Sequence, residues 1–223
     1  MSILNLLFPR RCVSCGKIGH YFCLNCSKNI SLVKWRFCPA CHRPSFNGAT
    51  HARCLSPYSL DGLFIGAHYS GPVKKAIHLI KYRFVSDLVN ELTSLLFSSP
   101  PAFLRNLDFL VPVPLHFQKE RERGFNQSLL ISLALSEMIN LPVKNNLLKR
   151  VKATKPQFGL KVGERKSNIR RAFRCLNPEF IKNKKIGLVD DVATTLSTLK
   201  ECGRELKIAQ AESVWAIVLA HGN

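Results

Sequence analysis

The chain has 223 residues, with 33 Lys and Arg against 14 Asp and Glu, a formal net charge of +19, and nine cysteines. That length suits one α/β domain plus a small appendage, with a core large enough to form without disulfides. No apolar run approaches the ~20 residues of a membrane span, and the apolar first nine residues lack a basic lead and a cleavage site, so a cytoplasmic protein with reduced thiols is expected.

The first 54 residues carry eight Lys and Arg and no acid. Cys12-x-x-Cys15, Cys23-x-x-Cys26, Cys38-x-x-Cys41 and His51-x-x-Cys54 form four knuckles there. Each two-residue gap lets one tight turn present both ligands to the same ion. Seven cysteines and one histidine suffice for two closed tetrahedral zinc sites, and the spacing predicts one or two structural zinc ions. Pairing the first knuckle with the second and the third with the fourth keeps the loops short; crossed pairing stays open, and His42 competes with His51. With no acid in the head to orient His51, structural sites are expected, not catalytic ones. Tyr21, Phe22, Trp35, Phe37 and Phe46 interleave with Lys34, Arg36 and Arg43. Such rings stack bases or supply the core that zinc alone cannot, and core is the favoured reading.

Beyond the head, strand and helix patterns alternate. Residues 63–69 read as a strand, and Gly71-Pro72 turns into a helix carrying Val73, Ile77 and Ile80. A second helix over 87–97 stops at Pro100-Pro101. Residues 108–114 read as a central strand, followed by a polar stretch to Gln127 and an apolar helix to about 139. A strand near 143–150 leads into a basic segment, and residues 144–185 hold fourteen Lys and Arg against Glu164 and Glu179. The last units are a strand over 186–189, a helix over 196–208 and a strand over 213–220. This alternation predicts a mainly parallel sheet flanked by helices. Two basic regions flanking a near-neutral middle predict a polyanionic partner. Cys175 and Cys202 lie outside the knuckles and read as buried thiols, with nothing nearby to activate them.

Two motifs carry chemistry. Ile186-Gly-Leu-Val-Asp190-Asp191 ends a short apolar strand in twin carboxylates, and Ala193, Thr194, Thr195, Leu196, Ser197 and Thr198 turn into the next helix. Backbone N–H groups and hydroxyls at that positive helix end suit a phosphate. The carboxylates at the strand's carboxyl end suit a sugar's vicinal hydroxyls. The second motif is Val111-Pro-Val-Pro114 followed by Arg121, Arg123, Gly124, Asn126 and Gln127, where guanidinium groups and a glycine suit a pyrophosphate.

The loop at 190–198 resembles the phosphoribosyl pyrophosphate (PRPP) loop of type I phosphoribosyltransferases. With the zinc head, Thr154-Lys-Pro-Gln157, Gly163-Glu-Arg-Lys-Ser-Asn168 and Phe173, the chain is similar to the ComF/GntX family of competence-associated, phosphoribosyltransferase-like proteins. The resemblance implies a double zinc-ribbon head over 1–57 and a phosphoribosyltransferase-like domain over 58–223. It implies that Gln157, Arg165 and Asn168 lie in a hood before the PRPP strand. Handling of incoming single-stranded DNA in natural transformation follows from it, with Mg²⁺-PRPP bound and Asp190 and Asp191 as catalytic residues. An active phosphoribosyltransferase acting on an amine or base is the alternative. A DNA-translocating helicase or processing protein is an implied partner, and Ile3, Leu4, Leu6, Leu7 and Phe8 would suit peripheral docking at the inner membrane face. Two departures stand out: Leu196 occupies a position usually held by Gly, and His51 one commonly held by Cys.

Overall fold

A computed structural model describes residues 9–82, 85–152 and 169–222. The expected hood residues Gln157, Arg165 and Asn168, and the apolar residues 3–8, lie outside the described residues. In chain order the elements are α1 (Leu24–Ser27), β1 (Gly62–His68), α2 (Gly71–Tyr82), α3 (Ser86–Leu96), β2 (Phe109–Pro112), α4 (Phe117–Arg123), α5 (Gln127–Ile139), β3 (Leu148–Arg150), β4 (Phe173–Cys175), α6 (Pro178–Ile181), β5 (Lys185–Ala193), α7 (Ser197–Ile208) and β6 (Ser213–His221). Four strands form a sheet in the order β1-β6-β5-β2 with every neighbouring pair parallel. Outside it, β3 and β4 pair antiparallel.

Alternation along each strand divides the core into two layers. Leu63 and Ile65 of β1, Ile186 and Leu188 of β5, and Val214, Ala216 and Val218 of β6 pack with Leu199, Cys202 and Leu206 of α7. On the other face Phe64, Leu110, Val189, Ile217 and Leu219 pack with α2, α3 and α5 through Ile77, Leu92, Ile131 and Leu135. Both faces are covered, which is why the strands read as continuous apolar runs.

Three local expectations change. Strand β5 does not stop at its aspartates: pairing of Asp190 with Val218, Val192 with Ala220 and Ala193 with His221 carries it to Ala193. The backbone ladder to β6 outweighs the low strand preference of Asp. The polar stretch after β2 contains a helix, α4, closed by Gly124 in the left-handed region at φ 78. The zinc head, read from the sequence as a small appendage, is tied to the sheet. Leu32 bridges Ala67 of β1, Ala49 bridges Gly62, and backbone N–H groups of Tyr21 and Phe22 donate to the Glu91 carboxylate of α3. Among the described residues no helix is long and apolar enough to cross a membrane.

Candidate functional site

The knuckles pair in sequence order. Ligand atoms of Cys12, Cys15, Cys23 and Cys26 lie within 4.8 Å of one another, and so do those of Cys38, Cys41, His51 and Cys54. Zn–S bonds of about 2.3 Å put tetrahedral sulfurs ~3.8 Å apart, and Cys15 Sγ lies 3.8 Å from Cys23 Sγ. His51 Nδ1 is 3.3 Å from Cys41 Sγ, and its Nε2 is 3.0 Å from the Pro44 carbonyl. A backbone oxygen thus fixes the ring and frees Nδ1 for the metal, doing the work no acid in the head could do. His42 stands apart, stacked on Phe37 with centroids 5.5 Å apart. Burial opposes the thiolates of Cys12 and Cys38, yet backbone N–H groups around each outweigh it and bring both to about 6, suited to zinc ligation. Donor set and spacing fit zinc, and the two quartets are structural zinc sites.

The head's aromatics divide. Phe22 is buried among the helices, and Tyr21 and Phe37 are partly buried. Trp35 and Phe46 contradict the core expectation: they are 84% and 87% exposed. Once zinc fixes the knuckles, the head has no need of either ring as core.

A second site opens where β2 and β5 end. A cavity of about 190 Å³ is lined by Asp190, Asp191, Lys81, Lys119, Arg123, Gln127, Ser128, Arg150 and Thr198, among others. Ser128 Oγ donates to Asp190 Oδ1 at 2.9 Å, and Lys81 Nζ lies 2.9 Å from Asp191 Oδ2. Burial, then the neighbouring Asp191 charge, pushes Asp190 up to about 7. Burial works against charge on Lys81, but Asp191 outweighs it and Lys81 sits above the ordinary lysine range. Lys119 is pulled down by burial and then by Arg150 and Arg123; burial also pulls Arg150 down. These cations are crowded against one another, as befits a pocket for a polyanion.

Of the residues expected at this site, Asp190, Asp191, Thr198, Arg123 and Gln127 line the cavity together. Arg123 donates to Gln127 Oε1 at 2.9 Å, while buried Gln127 keeps Nε2 without a hydrogen-bond partner among the described residues. Arg121, two residues away on α4 and so ~200° around the helix, is exposed and outside the lining. Gly124 terminates α4, and Asn126 caps α5, its side chain accepting from the Ser128 N–H and donating to the Val113 carbonyl. Lys81, Lys119, Ser128 and Arg150 were not singled out by the sequence. They come from α2, α4, α5 and β3, and only tertiary packing brings them together.

The loop from Ala193 to Thr198 forms a small concavity beside the cavity, and Thr195 Oγ1 lies 2.9 Å from Ser197 Oγ. Leu196 takes φ 57, the left-handed conformation glycine favours, and its side chain is 2% exposed, buried in the cluster with Leu199 and Val218. Left-handed backbone costs about 1–2 kcal/mol for a residue with a Cβ, and burying the side chain contributes about 2 kcal/mol in return. Leu196→Gly is therefore expected to lower stability by about 1–3 kcal/mol despite the relieved strain, because core volume is lost. A urea titration of both proteins checks this; an unchanged or higher midpoint contradicts it.

A family model described as "Double zinc ribbon domain" matches residues 3–55. "Competence protein F" of Haemophilus influenzae is 31% identical over 227 residues, covering 96% of this chain and 98% of its own. "DNA utilization protein YhgH" of Escherichia coli K12 is 32% identical over 229 residues, covering 95% of this chain and 98% of its own. A solved "allosteric regulatory enzyme of purine biosynthesis" overlaps 58% of this chain and 24% of its own at TM-score 0.37 and 16% identity, too loose to bear on the site. With a zinc-ribbon head on a helix-flanked parallel sheet and near-full-length relatives above 30% identity, the chain belongs to the competence protein F family.

Proposed function

We propose that this protein handles single-stranded DNA on the cytoplasmic side of the membrane during DNA uptake, and that its β2–β5 cavity holds PRPP with Mg²⁺. The observation that carries the ligand reading is the facing of Lys81, Lys119, Arg123 and Arg150 against Asp190 and Asp191 in one cavity. A diphosphate needs the cations, and ribose hydroxyls need the carboxylates. The concavity at 193–198 beside it suits a 5′-phosphate. The donor set also fits a hard divalent cation: carboxylates and hydroxyls, with Asp190 pushed up to about 7 by burial and by the neighbouring Asp191 charge, which a cation would offset. When bound, Mg²⁺ would screen the diphosphate. The chain's own part is to orient the ribose through Asp190 and Asp191 and to draw the diphosphate with the four cations.

The DNA reading is supported by the relatives' names, "Competence protein F" and "DNA utilization protein", and by the charge. The first 54 residues are free of acids, and residues 144–185 carry a net +12 from fourteen bases and two acids. Each phosphate contacted by Lys or Arg releases counterions. Single-strand affinity is therefore expected to fall about 100-fold between ~50 and ~200 mM salt, for ~5 contacts. Fluorescence anisotropy with a labelled oligothymidylate reads this. Binding that is absent, or flat with salt, sinks the DNA reading.

A second reading, phosphoribosyl transfer to an amine or base, is favoured by the twin carboxylates at the strand end. Pyrophosphate release from Mg²⁺-PRPP over a panel of acceptors, lost in Asp190→Asn, supports it; no release with any acceptor leaves a binding site without turnover.

A further inference from the structure

The zinc head and the sheet enclose a second cavity that the PRPP reading does not use. It has a volume of about 470 Å³ and lies over the carboxyl ends of β1 and β6. Phe37 forms its wall, stacked on His42 on one side and edge-on to His221 on the other, with both centroid distances 5.5 Å. His68 and His221 are register partners on neighbouring parallel strands, so their imidazoles leave the same face of the sheet. Trp35 stands at the rim beside Lys34, its indole largely exposed. Aromatic planes thus line the space, and among the described residues its one charged lining residue is a lysine and no carboxylate borders it. That chemistry favours a flat ring carrying negative charge.

One polar atom asks for such a ligand. Nε2 of His221 is buried and has no hydrogen-bond partner among the described residues. Buried unpartnered polar atoms are rare in folded proteins, and one on a cavity wall fits a site completed by its ligand. Burial, then the imidazoles of His42 and His68, pulls His221 below the ordinary histidine range, so its ring is neutral. A neutral imidazole has one donor and one acceptor nitrogen; the Thr194 backbone takes one of them, and Nε2 is left to meet a base edge. The cavity also touches the phosphate loop: the Gly222 N–H donates to the Ala193 carbonyl at 2.9 Å, and His221 pairs with Ala193 in the sheet.

We infer that this cavity receives a nucleobase, stacked against Trp35 and the Phe37–His42 pair and hydrogen-bonded by His221. The inference rests on the nucleic-acid reading and adds the point where a base leaves the strand to be held. A free nucleotide shares this chemistry with a base on a strand, and the test separates the two.

Trp35 is the reporter, in a Trp215→Phe background that removes the other tryptophan. Thymidine monophosphate and an oligothymidylate are titrated separately at low salt, with strand binding followed in parallel by anisotropy. Saturable quenching is expected, weakened about tenfold in His221→Ala, while Trp35→Ala weakens anisotropy-detected strand binding by about tenfold. Trp35 is exposed, so its removal leaves the fold intact and keeps the test valid if His221→Ala misfolds. Quenching by both probes means the cavity accepts free nucleotides as well as strands. Quenching by the oligonucleotide alone, lost in His221→Ala, means it takes a base only from a strand. Strand binding with a silent Trp35 and indifferent variants overturns the inference while sparing the DNA reading; no strand binding at all overturns both.

Discussion

Asp190→Asn is expected to make the protein more stable above neutral pH while removing its affinity for Mg²⁺-PRPP. The wild-type carboxyl is pushed up to about 7 by burial and by Asp191, whereas in the unfolded chain it titrates near ~3.9. The folded state therefore binds the extra proton between these values. Its stabilising contribution is complete below the lower value and is lost as pH rises through about 7. Above that, the native state holds an ionised group it solvates poorly. Each pKa unit corresponds to ~1.4 kcal/mol. Solvent reaches part of Asp190, so we expect the asparagine to gain about 2 kcal/mol at alkaline pH, or about 4–8 °C in Tm. Asparagine keeps the geometry, its Oδ1 accepting from both the Asp191 N–H and Ser128 Oγ as the carboxylate oxygen does. Thermal unfolding from pH 8.5 down to 6.5 should show the advantage shrinking. A variant less stable than wild type at pH 8.5 would show that Lys81 and Ser128 already compensate the charge.

Zinc removal is expected to have the largest effect on the fold. Structural zinc sites contribute ~10–16 kcal/mol of apparent binding energy, little of which survives when the ligands unfold. Here the knuckles also anchor the bridges from Leu32 and Ala49 to β1, and buried Val33 and Phe22 join the cores of the larger domain. A strong chelator should release two zinc ions per chain, expose residues 24–54 to protease and lower Tm by more than ~10 °C. Cys38→Ser should release one ion, since Cys38 is a fully buried member of its quartet. Metal analysis with limited proteolysis reads both. A chelated protein that resists proteolysis contradicts structural zinc.

The parts of this molecule that were legible in its sequence are local ones. A two-residue gap between cysteines dictates a ligating turn wherever it occurs, so the four knuckles could be read directly. The pairing of knuckles and the choice of His51 over His42 needed three dimensions, because they turn on the Pro44 carbonyl and on Phe37. Strands β1, β5 and β6 announced themselves by apolar runs, but the end of β5 did not. Asp190 and Asp191 look like a stop, and only the ladder to Val218 and Ala220 carries the strand past them. The site was half visible. Strand-end carboxylates and a hydroxyl loop form a sequential motif, whereas Lys81, Lys119 and Arg150 meet through packing of distant elements. Arg121 and Gly124 lay within the motif, yet a short helix faces the cavity with only one of its sides. Leu196 is the clearest lesson: the resemblance implies a glycine here, and the leucine's backbone adopts the left-handed conformation that glycine favours.

Titration calorimetry of Mg²⁺-PRPP into the zinc-loaded protein, beside Asp190→Asn and Asp191→Asn, tests the central claim most directly. The account predicts one site per chain, with affinity falling at least ~100-fold in either variant as ribose and charge contacts are lost. No heat with the wild-type protein, or equal affinity in all three, would contradict it.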